Sequence, residues 1–440
     1  MNTLLSRRQF LRRSATLATG LAAAGPGRLR GRAAANGRLN VGFIGVAHRA
    51  AENLAEIARL AEAVNVAALC DVDDNYLAEA RAKHPAARTY NDFRRLIEQK
   101  DLDAIVVSTP DHTHAVAVAA ALRTGRPVYC EKPLTRTVSE CRALRELAAS
   151  TGRPTQLGTQ IHAGGNYRRV VELIQSGAIG AVKDVHVWSG ASYGGRERPT
   201  ARVPVPAGLH WDLWLGPVPE REYSPEYAPF SWRNWWAFSG GTLGDFGCHF
   251  MDLPHWALDL RLPEWVEPVD GPPVHAESVP PWLIVRYHYP ARSRAGQTLP
   301  PVTLTWYHGG KQPEAPLLDA EQREYFKSGV LFLGEKGNLL ADYGRRHLLP
   351  AERFKDFLPP APTIPDSIGH HKEWIEAIRN GGPTTCNFDY SGALTEAVLL
   401  GNVAYRTGRR VEWDGATGQA RGVPEAAQFV QHAYRPGWRL

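Results

Sequence analysis

From Leu39 to about Ser150 the chain repeats one unit, a short apolar run, a turn and then a helix-spaced segment, and few folds can accommodate that rhythm. Leu39 to Ile44 predicts a strand, Ala50 to Ala63 a helix, and Val64 to Leu69 a second strand that ends in Cys70-Asp71-Val72-Asp73. The pattern continues with a helix near Asp92 to Gln99, the β-branched strand Ala104 to Val107, a helix from Thr113 to Arg123, the strand Pro127 to Cys130, and a helix from Ser139 to Ser150. Thr137 and Glu140 have capping-box spacing ahead of that last helix. Strands alternating with helices predict an α/β fold built on a doubly wound parallel sheet, with ligands at the carboxyl ends of its strands.

Beyond about residue 157 the rhythm is lost, and an α+β domain with a large, mostly antiparallel sheet is expected. Its strands are Val182 to Trp188, Trp282 to Tyr289, Val302 to Trp306 and Val330 to Leu333, with Glu335-Lys336-Gly337-Asn338 as a hairpin turn. Lys372 to Arg379 and Ser391 to Tyr405 predict helices. The expected division is therefore a leader over residues 1–35, a first domain over 36–157 and a second over 158–440.

The net charge of +6 invites a nucleic-acid reading that its distribution removes. Arg7, Arg8, Arg12, Arg13, Arg28, Arg30 and Arg32 all lie in the leader, which has no Asp or Glu; without it the chain is close to neutral. No nucleic-acid partner is expected. Ser6-Arg7-Arg8-Gln9-Phe10-Leu11 reads as a twin-arginine signature, followed by a weakly apolar run from Ser14 to Gly25 and the small residues Ala33-Ala34-Ala35. That run is about half of a bilayer span, so no membrane span is expected in the mature form. The expected partner is the twin-arginine export machinery, and the expected location is periplasmic or otherwise exported. Five cysteines with no Cys-x-x-Cys pair argue against a disulfide framework or a zinc ribbon.

The first turn, Val41 to Ala50, stands where a dinucleotide fingerprint belongs, which makes the first domain Rossmann-type. Of G-x-G-x-x-G only Gly45 survives; Ala47 and Ala50 replace the later glycines, with Arg49 between them. Asp71, at the end of the second strand, has the right chemistry for a ribose 2′-hydroxyl and would repel a 2′-phosphate, so NAD is favoured over NADP.

Two further stretches sharpen this. Ser108-Thr109-Pro110-Asp111-His112-Thr113-His114 follows the fourth strand, and Tyr129-Cys130-Glu131-Lys132-Pro133-Leu134 follows the fifth. With Gly244-Asp245-Phe246-Gly247-Cys248-His249, Gly334 to Gly337 and Arg406 to Trp413, they resemble the Gfo/Idh/MocA oxidoreductases, with their T-P-x-x-x-H, E-K-P and D-x-x-x-H motifs. The resemblance covers nearly everything after the leader. It implies that Lys132 hydrogen-bonds the reacting hydroxyl between nicotinamide and substrate, that His249 is the general acid/base, and that Asp245 orients substrate or holds the other two. Gly45, Ala47, Arg49, Asp71, Thr109, Pro110, His114, Glu131 and Lys132 would form the cofactor site.

Trp211, Trp214, Trp232, Trp235 and Trp236 lie interleaved with Asp212, Arg233 and Asn234, a composition suited to stacking on sugar rings or simply to an aromatic core. Arg233, Trp235, Trp236 and Gln160 are taken as substrate candidates. His249, Asp252 and His255 have helical spacing, but Pro254 interrupts it and no metal is expected. The function expected is oxidation of a hydroxyl of a sugar, glycoside or polyol by tightly bound, internally recycled NAD(H). An NAD-dependent glycoside hydrolase and a non-catalytic sugar-binding protein are the alternatives. A homo-oligomer is expected, since the family often assembles through the sheet of its second domain.

Overall fold

The computed structural model describes residues 37–440, so the twin-arginine leader lies outside the described residues. The first sheet has six parallel strands: β1 (Leu39–Ile44), β2 (Val64–Cys70), β3 (Arg88–Tyr90), β4 (Ala104–Val107), β5 (Val128–Cys130) and β6 (Thr155–Leu157). Their order, β3-β2-β1-β4-β5-β6, reverses between β1 and β4, and the crevice at that switch point is where a ligand sits in such sheets. The helices between them are α1 (Arg49–Ala58), α2 (Asp74–Lys83), α3 (Phe93–Glu98), α4 (Asp111–Arg123) and α5 (Val138–Thr151). β4 is buried along its whole length, which is why it reads as an unbroken β-branched run rather than an alternation. The capping box opens α5: the Thr137 hydroxyl accepts from the Glu140 N–H, and Glu140 accepts from the Thr137 N–H at 3.0 Å.

Three elements of the first domain escape the sequence pattern. In α2 only Leu77 and Ala80 are buried, too few to make a stripe, so its signal is the Asp73 cap rather than periodicity. β3 and β6 are three-residue edge strands. The helix expected over 50–63 ends at Ala58, because a turn closed by Ala63 N–H to the Leu60 carbonyl (2.8 Å) carries the chain into β2.

The second sheet has nine strands in the order β15-β14-β13-β7-β12-β9-β8-β16-β17. They are β7 (Val182–Ser189), β8 (Trp265–Asp270), β9 (Leu283–Tyr289), β12 (Val302–His308), β13 (Gly329–Gly334), β14 (Gly337–Ala341), β15 (Arg346–Leu349), β16 (Val411–Asp414) and β17 (Gln419–Arg421); β10 (Arg292–Arg294) and β11 (Gln297–Leu299) form a separate hairpin. Only β7 and β12 pair in parallel. The expected hairpin turn joins β13 to β14, with Gly334 opposite Gly337. One face of the sheet is covered by α6 (Gly165–Gln175), α8 (Gly241–Phe250), α9 (Asp252–Leu258) and α12 (Phe388–Thr407), whose apolar residues share one core with it; α7 (Trp211–Leu215), α10 (Ala320–Tyr325) and α11 (His370–Asn380) lie outside that layer. Helix α12 also packs on α5, fastening the two sheets together. All five cysteines are buried and free.

Between β7 and α8 the chain leaves the second sheet and crosses the carboxyl end of the first. Residues 206–238 form a strap with its own aromatic core of Trp214, Tyr223, Tyr227, Trp232, Trp235 and Phe238. The strap is stitched to the first domain: the Asp74 N–H donates to the Gly208 carbonyl at 2.9 Å, and the His210 N–H donates to the Val72 carbonyl at 2.8 Å. From the C-terminal segment Arg435 reaches back to the Gly216 and Asp212 carbonyls, both at 2.6 Å.

Candidate active site

The strap, the carboxyl ends of β1, β2, β4 and β5, and α8 enclose a cleft of about 770 Å³. At its inner end β1 runs into Gly45, whose φ of +87° suits glycine, and a Cβ there would lie 2.4 Å from the Ser108 carbonyl oxygen. The chain therefore turns sharply and brings the N-terminus of α1 to the cleft, an arrangement suited to a pyrophosphate. Ala47, Arg49, Thr109, Pro110, Glu131 and Lys132 line the cleft as expected. His48 holds φ +53° at the helix cap, and its ring packs on Phe230 of the strap at 4.3 Å and on Tyr76 at 5.1 Å.

Asp71 follows β2 and also lines the cleft; its carboxylate accepts from the Val46 N–H at 3.0 Å and the Asp73 N–H at 3.1 Å. Burial pushes its pKa up to about 6 against the pull of these backbone donors. Ribose hydroxyls need the ionised form as acceptor, so affinity for NAD is expected to fall as pH drops through about 6, measurable by fluorescence titration. Asp71→Ser is expected to narrow the preference for NAD over NADP by ~10–100-fold, worth roughly 1.4 kcal/mol per decade; comparing the two dissociation constants checks it.

Glu131 is a buried hub. It accepts from Gln160 Nε2 at 2.7 Å, Asn53 Nδ2 at 2.9 Å and Arg49 Nε at 3.3 Å. Burial favours its neutral form, but Arg49 and Lys132 outweigh that and hold its pKa below the ordinary value. Gly158 permits the arrangement, since a Cβ there would stand 2.5 Å from Glu131 Oε1.

At the other end α8 places Asp245 and His249 one turn apart on a single face. Lys132 Nζ makes an ion pair with Asp245 Oδ1 and also donates to the Asp245 carbonyl at 3.3 Å, which leaves one N–H free. The other carboxylate oxygen accepts from Tyr193 Oη at 3.1 Å and faces Arg233 Nε at 3.2 Å. Burial would raise the pKa of Asp245; the two cations instead hold it far below the carboxylate range, so it stays ionised. Burial and then Lys132 push His249 down to about 3, which leaves a neutral imidazole, and its buried Nδ1 has no partner among the described residues. Tyr343, on the turn between β14 and β15, stands edge-on to the His249 ring at 6.3 Å. That turn is fixed: the Asn166 side chain donates to the Asp342 and Arg345 carbonyls, each at 2.9 Å.

Lys132, Asp245, His249, Gln160 and Arg233 thus converge, and three other candidates do not. His114 is fully buried, with its ring nitrogens on the Pro133 and Thr109 carbonyls at 2.8 and 2.7 Å; it ties two cleft loops together from behind. Trp235 and Trp236 lie away from the cleft, because their indole N–H groups are consumed internally by the Glu226 carbonyl (2.6 Å) and the His275 carbonyl (3.2 Å). Trp232 takes the position expected of them: it lines the cleft and carries Arg233 4.0 Å above its ring. Asn53, Tyr193, Phe230 and Tyr343 were not singled out by the sequence, having no motif to flag them. Asp252 is engaged by His162 and Tyr390, and His255 by the Met251 carbonyl and Tyr289, so neither turns toward His249; among the described residues no three His, Cys, Asp or Glu side chains cluster as metal ligands.

The chain belongs to the Gfo/Idh/MocA oxidoreductase family. Residues 39–159 match the family's NAD-binding Rossmann fold and residues 166–295 its C-terminal alpha/beta domain. Over 149 residues it is 33% identical to inositol 2-dehydrogenase 2 of Saccharopolyspora erythraea, a match covering 34% of this chain and 44% of that protein. An inositol 2-dehydrogenase of Salmonella paratyphi B is 30% identical over 168 residues, 38% of this chain and 49% of the relative. The chain thus spans about half the length of the curated relatives it matches. The fold is shared with the aldose-aldose oxidoreductase of Caulobacter crescentus complexed with glycerol, at a TM-score of 0.56 and 18% identity over 85% of this chain and 99% of that one.

Proposed function

We propose that the protein is an NAD-dependent oxidoreductase acting on a hydroxyl-bearing carbon of a sugar, glycoside or polyol. The observation that carries this reading is the Lys132–Asp245 pair beside a neutral His249, at the far end of a cleft whose near end offers Gly45, Asp71 and the α1 N-terminus. Bound NAD would supply the hydride acceptor. Lys132, fixed by Asp245, turns its remaining N–H to the substrate oxygen and stabilises the charge that develops there. Neutral His249 takes the hydroxyl proton. Arg233 and Gln160 orient the other hydroxyls, and Tyr343 offers a flat face to a ring. The curated inositol dehydrogenases support a cyclic polyhydroxylated substrate.

The nucleotide is held between turnovers, a reading supported by the strap across the cleft and the His48–Phe230 contact. Purification without added cofactor, followed by denaturation and mass analysis, is expected to release near-stoichiometric NAD or NADH. An empty protein that also fails to bind NAD would overturn the enzyme and leave a sugar-binding protein. Phe230→Ala is expected to speed nucleotide loss about tenfold, roughly 1.4 kcal/mol, read as residual nucleotide after dialysis. Free sugar released from a glycoside without net NADH would instead identify a glycosidase. Export by the twin-arginine route belongs to the same reading, since that route carries folded, cofactor-loaded proteins; a reporter fused to residues 1–35 that stays inside the cell would overturn it.

A further inference from the structure

Behind the active site, and sharing no lining residue with the cleft, is a cavity of about 20 Å³ between α5, α12 and the C-terminal segment. One water-sized particle needs roughly 10–15 Å³ measured this way. Arg136, Arg406 and His432 line it together with Trp236 and Phe429. The Arg406 guanidinium lies 4.1 Å from the Phe429 ring centre and 4.8 Å from that of Trp236, and among the described residues it has neither a hydrogen bond nor a carboxylate partner. Arg136 donates to the Trp236 carbonyl at 3.1 Å, while its Nε is buried without a partner and no carboxylate pairs with it.

The nearest acids are already engaged. Glu140 accepts from the Thr137 N–H at 3.0 Å and from Tyr434 Oη at 2.6 Å, and Asp111 accepts from Ser239 Oγ at 2.7 Å. Two guanidinium groups therefore face one small pocket with unused donors, the buried Arg136 Nε among them, while the acids whose charge opposes Arg136, Glu140 and Asp111, hydrogen-bond elsewhere. Burial and the neighbouring Arg136 push Arg406 down to about 10, and burial with both arginines pushes His432 down to about 3, the direction expected where cations crowd.

We infer that this cavity binds a small inorganic monoanion of about the size of chloride, held by Arg136 and Arg406 and completed by His432. The site joins the start of α5, just after Glu131-Lys132-Pro133, to the run Trp236–Gly240 that leads into the helix of Asp245 and His249, and to the C-terminal segment. Occupancy would fasten the supports of the active site without touching substrate.

The test uses the full chain with chloride itself as probe. Chlorine NMR of the native protein is expected to show excess line width that saturates with chloride and is displaced by bromide. The excess is expected to vanish in Arg406→Met and persist in Arg406→Lys. Chloride at constant ionic strength, exchanged against methanesulfonate, is expected to raise Tm saturably by roughly 2–4 °C. No excess line width, or an excess unchanged in Arg406→Met, overturns the inference. Should that variant fail to fold, a bromide-soaked crystal of the native protein decides: an anomalous peak between the two guanidinium groups supports the site, and its absence overturns it.

Discussion

Replacing Lys132 with Met should lower kcat by roughly 10²–10³-fold while the protein still carries its nucleotide. The side chain is only 12% exposed, and two of its three N–H groups are spent on Asp245, so the third is its chemical contribution. Methionine keeps most of the stem and its packing, and Asp245 retains Tyr193 and Arg233 as partners, so the carboxylate is not stranded. The loss should therefore fall on kcat rather than on folding or nucleotide content. Steady-state kinetics with mass analysis of bound nucleotide separates these effects, and turnover within a few fold of the native protein would exclude Lys132 from the reaction.

Gly45→Ala should be the most damaging single change at the cofactor end. The left-handed conformation costs a non-glycine residue about 1–3 kcal/mol, and the added methyl would in addition stand 2.4 Å from the Ser108 carbonyl oxygen, which is backbone and cannot swing aside. The β1 turn and the β4 loop must separate, and the groove between them is where the pyrophosphate belongs. Purified Gly45→Ala protein is expected to contain no nucleotide and to melt several degrees lower, whereas Ala47→Gly should fold normally and hold nucleotide at least as well. Equal nucleotide content in native and Gly45→Ala protein would show that the turn is not the phosphate site.

The four central strands of the first sheet are legible in the sequence because they are largely buried and alternate with helices, whereas the three-residue edge strands β3 and β6 are not. The second is legible only in part: β7, β9, β12 and β13 read as strands, the strands β8, β15, β16 and β17 do not, and the order is not local, since nothing in Val182 to Trp188 says that it will pair in parallel with β12, whose residues lie over a hundred positions away. Lys132, Asp245 and His249 stand out because short motifs carry them. The tryptophans show where the reading fails. Trp232 and Trp235 are three residues apart in the same aromatic stretch, yet one lines the cleft and the other is wholly buried, and only the partner of each indole and the path of the strap decide which is which. Tyr343 was invisible for a related reason, since its role depends on Asn166, far away in the chain, fixing the turn that presents it.

The strap has a kinetic corollary. On the proposed reading the nucleotide stays bound between turnovers and is restored where it lies, so each oxidation is followed by a reduction through the same opening, beside Tyr343 and His249. On that reading donor and acceptor take turns in that space. Initial rates measured at several fixed acceptor concentrations should give parallel double-reciprocal lines, the signature of a ping-pong cycle, and a good acceptor should act at high concentration as a competitive inhibitor of the donor. On that reading the order of chemical events is set by a length of backbone laid across a groove.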